Sequence, residues 1–134
     1  MNIVLDTNCL LMSLSRRSSY YPVWQQLRAG AYVLCYTNEI LMEYEEILTR
    51  KLGAAIASNI ISALLNLPNT RQVQVYFHLH LITADPDDNK FVDCAFKAGA
   101  RYIVTQDHHY DILRHIDFPA IDVISIDDFL QMLT

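Results

Sequence analysis

The sequence feature that most constrains the fold is a short apolar run that ends on an acid. Residues 2–5 read Asn-Ile-Val-Leu and lead into Asp6, and residues 101–105 lead through Gln106 into Asp107. Buried parallel strands have this nearly continuous apolar composition, and in open α/β sheets ligands bind beyond the carboxyl ends of such strands. Both acids are therefore predicted at the edge of a parallel sheet where chemistry is expected.

The first acid also has a purely structural interpretation. Asp, Thr and Asn are all good helix N-cap residues, and Asp6, Thr7 and Asn8 precede a helical pattern that runs to about Ser15. Taken alone, the stretch fits a helix cap as well as a functional acid. The later acidic segments of the chain favour the functional interpretation.

Strand and helix patterns alternate along the chain. Short runs rich in β-branched or aromatic residues predict strands at 2–5, 31–36, 71–76, 101–105 and 122–125. Apolar residues at helical spacing predict helices at 7–15, 20–28, 38–51, 52–67, 91–98 and 110–115, and a last helix from Asp127. This alternation indicates a three-layer α/β/α fold with a mostly parallel central sheet of about five strands.

The composition fits one domain spanning residues 1–134. Of the 134 residues, 52% are hydrophobic, which is ample for a single core. No apolar run reaches the roughly 20 residues that a membrane span needs, and the first residues lack a secretory signal, so we expect a cytoplasmic protein.

Cys9, Cys35 and Cys94 are embedded in apolar pattern, which predicts buried reduced thiols. The net charge of −5 argues against a broad basic surface for duplex DNA.

Two further acidic segments belong to helices near strand ends. Glu43 lies one turn into the helix that follows the strand at 31–36. Asp85, Asp87 and Asp88 crowd within four residues at a helix start, where like charges cost stability unless a cation or separation relieves them. The acids predicted to meet at one edge of the sheet are Asp6, Glu43, Asp88 and Asp107.

Four carboxylates in one crevice imply a bound cation. No lysine or arginine is expected beside them, so they are hard to keep ionised at neutral pH unless metal neutralises them. Hard oxygen ligands favour Mg²⁺ or Mn²⁺. The sequence therefore predicts a divalent-metal site.

Four motifs, taken in order, resemble those of the PIN domain family, which consists of metal-dependent ribonucleases. They are Val4-Leu5-Asp6-Thr7-Asn8, Thr37-Asn38-Glu39-Ile40-Leu41-Met42-Glu43, Asp85-Pro86-Asp87-Asp88-Asn89-Lys90-Phe91 and Tyr102-Ile103-Val104-Thr105-Gln106-Asp107. The resemblance covers essentially the whole chain, and the last two motifs look most like the VapC-like toxins of toxin–antitoxin pairs. The chain departs from the family pattern at Gln106, where a small residue is common, and at His108-His109, which replace a more usual charged pair.

The resemblance implies a role for each matching residue. The catalytic metal ligands fall on Asp6, Glu43, Asp88 and Asp107, and Asp93 is an alternative acid further along the Asp88 helix. The supporting positions, which would orient carboxylates, are Thr7, Asn8, Asp85, Asp87 and Thr105. The expected contacts to RNA phosphate are Arg16, Arg17 and Lys90.

The function implied by the resemblance is hydrolysis of phosphodiester bonds in single-stranded RNA with bound Mg²⁺ or Mn²⁺. The resemblance also implies a homodimer and a small antitoxin partner, which would place a basic side chain among the carboxylates.

Two other functions fit parts of the pattern. A receiver-type phosphoacceptor domain also gathers acids at strand ends, but it requires a lysine on a late strand, and the late strands of this chain have none. The other alternative is a PIN-like RNA- or protein-binding module that no longer cleaves. Intact acids argue against that module.

Overall fold

The centre of the protein is a five-stranded parallel sheet. The computed structural model describes residues 1–82, 85–117 and 120–134. The strands are β1 (Asn2–Leu5), β2 (Val33–Tyr36), β3 (Thr70–Gln72), β4 (Tyr102–Val104) and β5 (Val123–Ile124). Their spatial order is β3-β2-β1-β4-β5, and every neighbouring pair is parallel. All five carboxyl ends therefore lie at the same edge of the sheet.

Both faces of the sheet are covered. Ile3, Val4 and Leu5 on the central strand β1 are fully buried. Successive strand residues point to opposite faces, so this burial requires packing on each side. The three-layer α/β arrangement predicted from the sequence is confirmed.

Six α-helices and two 3₁₀ segments surround the sheet in the described part of the chain. The α-helices are α1 (Thr7–Met12), α2 (Tyr21–Arg28), α3 (Asn38–Leu52), α4 (Ala54–Asn66), α5 (Asn89–Ala98) and α6 (Ile126–Leu133). The 3₁₀ segments are Pro86–Asp88 and His108–His115. Helix α5 packs on β1, β2 and β4 and also contacts α3, whereas α2 packs on α6. The contact between α3 and α5 brings two acidic segments together.

The residues at three helix ends show which side chains act as caps. Thr37 Oγ1 accepts a hydrogen bond from the Ile40 amide at the start of α3. Gly99 ends α5 with a φ of +61°, a left-handed conformation that glycine adopts at little cost. In the described part of the chain, the Asp6 side chain makes no hydrogen bond that caps α1, although Asp6 occupies the cap position. This carboxylate is therefore free for other partners.

Three predicted elements differ from the structure in type or by more than two residues at one end. Strand β3 ends at Gln72 rather than residue 76, because its one neighbour β2 ends at Tyr36, which lies opposite Gln72. Helix α1 ends at Met12 rather than near Ser15, and Ser13 Oγ donates back to the Leu10 carbonyl. The helix predicted at 110–115 is 3₁₀ and begins earlier, at His108.

The three cysteines are buried and free, as the sequence predicted. Among the described residues, no helix is long and apolar enough to cross a membrane.

Candidate metal centre

Asp6 lies just beyond the carboxyl end of β1 and is only 7% exposed. Thr105 Oγ1, at the end of the neighbouring strand β4, donates a hydrogen bond of 2.8 Å to Asp6 Oδ2. Burial raises the pKa of Asp6, and the charges of Glu43 and Asp107 raise it further by repulsion. Hydrogen bonds from the Thr105 hydroxyl and the Thr7 backbone amide oppose the shift. The Asp6 carboxylate is thus held in a crowded and poorly hydrated position.

Glu43 reaches the same edge from α3. Thr7 Oγ1 donates a hydrogen bond to Glu43 Oε2. Lys90 Nζ, on the first turn of α5, lies 2.7 Å from Glu43 Oε1. The expectation that no lysine or arginine lies beside the acids is therefore wrong, because the packing of α5 against α3 places Lys90 there. Part of the negative charge is balanced by the chain itself.

Asp88 and Asp107 both lie close to the imidazole of His109. His109 Nδ1 lies 3.3 Å from Asp88 Oδ2 and 3.1 Å from Asp107 Oδ1. Burial raises the pKa of Asp88 to about 6, and the charges of Asp85, Asp107 and Asp6 add to the rise, whereas the hydrogen bond with His109 opposes it. A cation bound here would relieve this penalty.

The four acids named from the sequence lie close enough to interact electrostatically. Asp6 is repelled by Glu43 and Asp107, and Asp88 is repelled by Asp107 and Asp6. They share the carboxyl edge of the parallel sheet and are the candidate metal centre. Among the described residues, Asp88 alone of the four belongs to a group of three ligand atoms within 4.8 Å of one another, together with Asp85 and His109. Ionised carboxylate oxygens are the donors that hard divalent cations prefer, so this set fits Mg²⁺ or Mn²⁺.

Of the other acidic residues named from the sequence, Asp85 lies beside Asp88 and His109, whereas Asp87 and Asp93 have different surroundings. Asp85 Oδ1 accepts a hydrogen bond from the Asp87 amide, and the Asp87 side chain is exposed. Asp93 is buried, and its two oxygens pair with His78 Nδ1 and the Leu79 amide. Asp93 thus fixes the segment that follows β3.

The remaining predicted positions differ in exposure. Thr105 is buried and links two acids, because its Oγ1 also accepts a hydrogen bond of 3.0 Å from the Asp107 amide. Asn8 is exposed. Arg16 and Arg17 are exposed between α1 and α2.

Two site residues received no role from the sequence. In the sequence, His109 stands out only as a departure from the family pattern. Its position two residues after the strand-end acid Asp107 is nevertheless a signal that it lies near the site. Gln106 Oε1 accepts a hydrogen bond of 3.0 Å from the Ile126 amide at the start of α6. That long-range contact explains why a larger residue precedes Asp107, and no local pattern could have indicated it.

A cavity of about 670 Å³ opens beside the metal centre. Its wall includes Lys90, the residues at the start of α3, and the chain that follows β3 as far as His80. Tyr76 projects its ring into solvent and is 78% exposed. The cavity therefore combines a lysine, side-chain amides and an exposed aromatic ring, and Lys90 connects it to Glu43.

The family model for the PIN domain matches residues 2–109. The match covers both strand-end acids and the two helical acids between them. The chain belongs to the PIN domain family. No curated protein sequence matches the chain.

Solved structures of similar fold include proteins from three bacteria. One is VapBC2 from Rickettsia felis bound to a promoter DNA fragment, with 14% identity, a TM-score of 0.65, and coverage of 93% of this chain and 98% of that chain. Another is DNA-bound VapBC from Salmonella typhimurium, with 16% identity, a TM-score of 0.65, and coverage of 94% and 98%. The third is VapC20 from Mycobacterium tuberculosis, a toxin that cleaves the sarcin–ricin loop, with 16% identity, a TM-score of 0.58, and coverage of 81% and 92%. At these identities the likeness shows a shared fold.

Proposed function

We propose that this protein is a metal-dependent endoribonuclease that hydrolyses RNA phosphodiester bonds at the centre formed by Asp6, Glu43, Asp88 and Asp107. The observation that carries the proposal is that Glu43, Asp88 and Asp107 lie within electrostatic reach of Asp6 at one sheet edge, in a chain of the PIN domain family. A divalent cation held by carboxylates supplies charge stabilisation at the scissile phosphate and lowers the pKa of bound water.

The chain's own residues orient the acids. The Thr105 hydroxyl directs one Asp6 oxygen, and the Thr7 hydroxyl directs one Glu43 oxygen. Such hydrogen bonds fix a ligand's orientation, and the second oxygen of Glu43 pairs with Lys90. Lys90 lies at the border between the acids and the cavity, where its ammonium group can contact the phosphate next to the cleaved bond.

The cavity beside the centre suits a single RNA strand. Sequence recognition of RNA uses unstacked bases that stack on aromatic rings and bond to polar side chains. Tyr76 offers an exposed ring, and Asn38 and Gln72 offer amides in the cavity wall. Arg16 and Arg17, exposed on another loop, would add contacts to phosphate.

The proposal is tested with a purified protein, labelled single-stranded RNA and Mn²⁺. Wild type should cleave the RNA to products with 5′-phosphate and 3′-hydroxyl ends, and Asp6→Asn should be at least about 100-fold slower, because a metal ligand is lost. The matched control is Asp122→Asn, which alters an exposed acid at the amino end of β5, paired with Arg101. Equal cleavage by wild type and Asp6→Asn would refute the assignment.

Binding of the metal can be measured without RNA. At free Mn²⁺ 100 times its dissociation constant, linkage predicts a stability gain of about 2.7 kcal/mol for wild type. Asp6→Asn should show a much smaller gain. An unchanged melting temperature of wild type in millimolar Mn²⁺ would contradict the metal centre.

We further propose that the protein is the toxin of a type II toxin–antitoxin pair. The fold shared with VapBC proteins supports a small antitoxin partner that places a basic side chain among the four acids. Expression without the partner should arrest growth for wild type and not for Asp6→Asn. Harmless expression of a protein that cleaves RNA in vitro would exclude the toxin role and leave the nuclease role intact.

A homodimer is also proposed. Helices α3 and α4 pack together beside the site and expose Met42, Ile56 and Leu65. A dimer formed through these helices would bury such side chains. Analytical ultracentrifugation at several concentrations decides between a monomer and a dimer.

One observation favours a binding module without cleavage activity. The ion pair between Lys90 and Glu43 neutralises an acid that would otherwise face a metal. In that case RNA would bind to wild type and to Asp6→Asn equally well, and neither would cleave it. The cleavage assay therefore separates the two functions.

A further inference from the structure

The histidine at position 109 has two acidic partners and no role in the chemistry proposed above. Its Nδ1 lies 3.1 Å from Asp107 Oδ1 and 3.3 Å from Asp88 Oδ2. One ligand atom each from Asp85, Asp88 and His109 lies within 4.8 Å of the others. Cation-to-ligand bonds in such sites are about 2.0–2.2 Å, so two ligands of one ion lie at most about 4.4 Å apart. A shift of a few tenths of an ångström brings all three atoms within reach of a single ion.

The local backbone directs the imidazole toward the acids. The His109 amide donates a hydrogen bond of 2.9 Å to Asp107 Oδ1, which starts the 3₁₀ segment His108–His115. His108, one residue earlier, points elsewhere: its side chain is 94% exposed and its Nδ1 lies 3.4 Å from Asp111. Of these two adjacent histidines, the fold places only His109 at the acids.

We infer that His109 Nδ1 is a ligand of the cation in this centre, and that the centre therefore prefers a divalent transition-metal ion such as Mn²⁺ to Mg²⁺. The inference rests on the metal-dependent function proposed above and specifies its cofactor.

The preference follows from ligand chemistry. Mg²⁺ favours oxygen donors in near-ideal octahedral geometry and retains several waters, whereas an imidazole nitrogen favours first-row transition-metal ions, least strongly Mn²⁺ and more strongly the later ions of the row. A nitrogen donor added to the carboxylates therefore favours Mn²⁺ binding over Mg²⁺ binding. A centre made of carboxylates alone would lack this means of discriminating between Mn²⁺ and Mg²⁺.

A spectroscopic experiment tests the ligand directly. The full chain, loaded with Mn²⁺, is examined by electron spin echo envelope modulation, which detects nitrogen nuclei bonded to the ion. Wild type and His108→Gln should show modulation from a directly coordinated imidazole nitrogen, and incorporation of ¹⁵N-histidine should change its frequency. His109→Gln should lose that signal while still binding Mn²⁺ through the carboxylates.

Titrations give a second measurement that does not depend on catalysis. We expect His109→Gln to lower the affinity for Mn²⁺ about tenfold or more and to change the Mg²⁺ affinity far less. His108→Gln should leave both affinities unchanged, and far-UV circular dichroism and thermal unfolding of the apo proteins check that each variant is folded.

The outcomes separate this inference from the proposed function. Mn²⁺ that binds to wild type without nitrogen modulation would overturn the role of His109 and leave the four-carboxylate centre standing. A signal that persists in His109→Gln would do the same. Failure of wild type to bind either ion would overturn both proposals.

Discussion

The Thr105 hydroxyl donates a hydrogen bond of 2.8 Å to Asp6 Oδ2 and thereby joins the ends of β1 and β4, 99 positions apart in the sequence. The same oxygen accepts the Asp107 amide at 3.0 Å. One buried threonine therefore aligns both acids that follow strands. A substitution of Thr105 therefore tests the alignment of both acids at once.

Thr105→Val keeps the shape of the side chain and removes both hydrogen bonds. Because the Asp107 amide loses its partner, we expect the free energy of unfolding to fall by about 1–3 kcal/mol. Mn²⁺ affinity should fall about 10- to 100-fold, because Asp6 is no longer oriented. Urea unfolding and metal titration measure the two effects.

Thr70→Val serves as the control for that experiment. The Thr70 hydroxyl bonds to the carbonyls of Leu64 and Leu67, far from the acids. This variant should lose stability without losing metal affinity. An equal loss of affinity in both variants would show that the effect of Thr105→Val is one of general destabilisation.

Lys90→Gln removes the cation that pairs with Glu43 at 2.7 Å. The apo centre becomes more negative, so we expect Mn²⁺ to bind about fivefold more tightly, which corresponds to about 1 kcal/mol. Isothermal titration calorimetry at low salt measures the change. Lys51→Gln, which removes an exposed lysine in the last turn of α3, should leave the affinity unchanged.

Lys90→Gln should also affect RNA binding. If the ammonium group contacts one phosphate, the slope of log affinity against log salt should become shallower by about 0.7 for a single strand. Fluorescence anisotropy in Ca²⁺ or without metal measures binding without cleavage. An unchanged slope would remove Lys90 from the RNA contacts.

The stability of the apo protein should fall as pH rises through the range in which Asp88 titrates. The pKa of Asp88 is raised from 3.8 to about 6, and the pKa of Asp6 is raised too, so between these values the folded state binds more protons than the unfolded state. By linkage, the contribution of these groups is fully present below pH 3.8 and is lost as pH rises through about 6. Urea unfolding at several pH values between 4 and 7.5 gives the slope, and Asp88→Asn should flatten it.

Saturating Mn²⁺ should reverse this trend. Metal binding requires ionised carboxylates, so the stability gained from the metal increases with pH over the same range. A metal-induced gain in melting temperature that is larger at pH 5 than at pH 7 would contradict binding through these acids.

Asn89 holds the chain that precedes its own helix. Its side chain bonds to both the amide and the carbonyl of Ile82, each at 2.8 Å in buried surroundings. Asn89→Leu leaves both backbone groups without partners, so the free energy of unfolding should fall by about 2–4 kcal/mol. Asn66→Leu, at an exposed asparagine that bonds to the Ser62 carbonyl, should change stability by less than about 0.5 kcal/mol.

Several features of the candidate site could be predicted from the sequence because they depend on local patterns. The apolar runs that end at Asp6 and Asp107 define parallel strands, and parallel strands necessarily bring their carboxyl ends to one edge. The capping residue Thr37 and the helical spacing that follows place Glu43 near the same edge. The fold class, most strand and helix identities and the placement of the acids at one sheet edge follow from these patterns.

Other features depended on tertiary structure. Whether Lys90 meets Glu43 depends on how α5 packs against α3, and whether His109 lies between Asp88 and Asp107 depends on the 3₁₀ segment after β4. The contact of Gln106 with α6 has the same origin. Sequence patterns report the period and composition of one segment, whereas these contacts join segments whose relative positions are determined only by packing of the whole core. The sequence alone therefore determined which acids gather at the sheet edge, and the tertiary structure decided which cationic or nitrogen-bearing side chains accompany them.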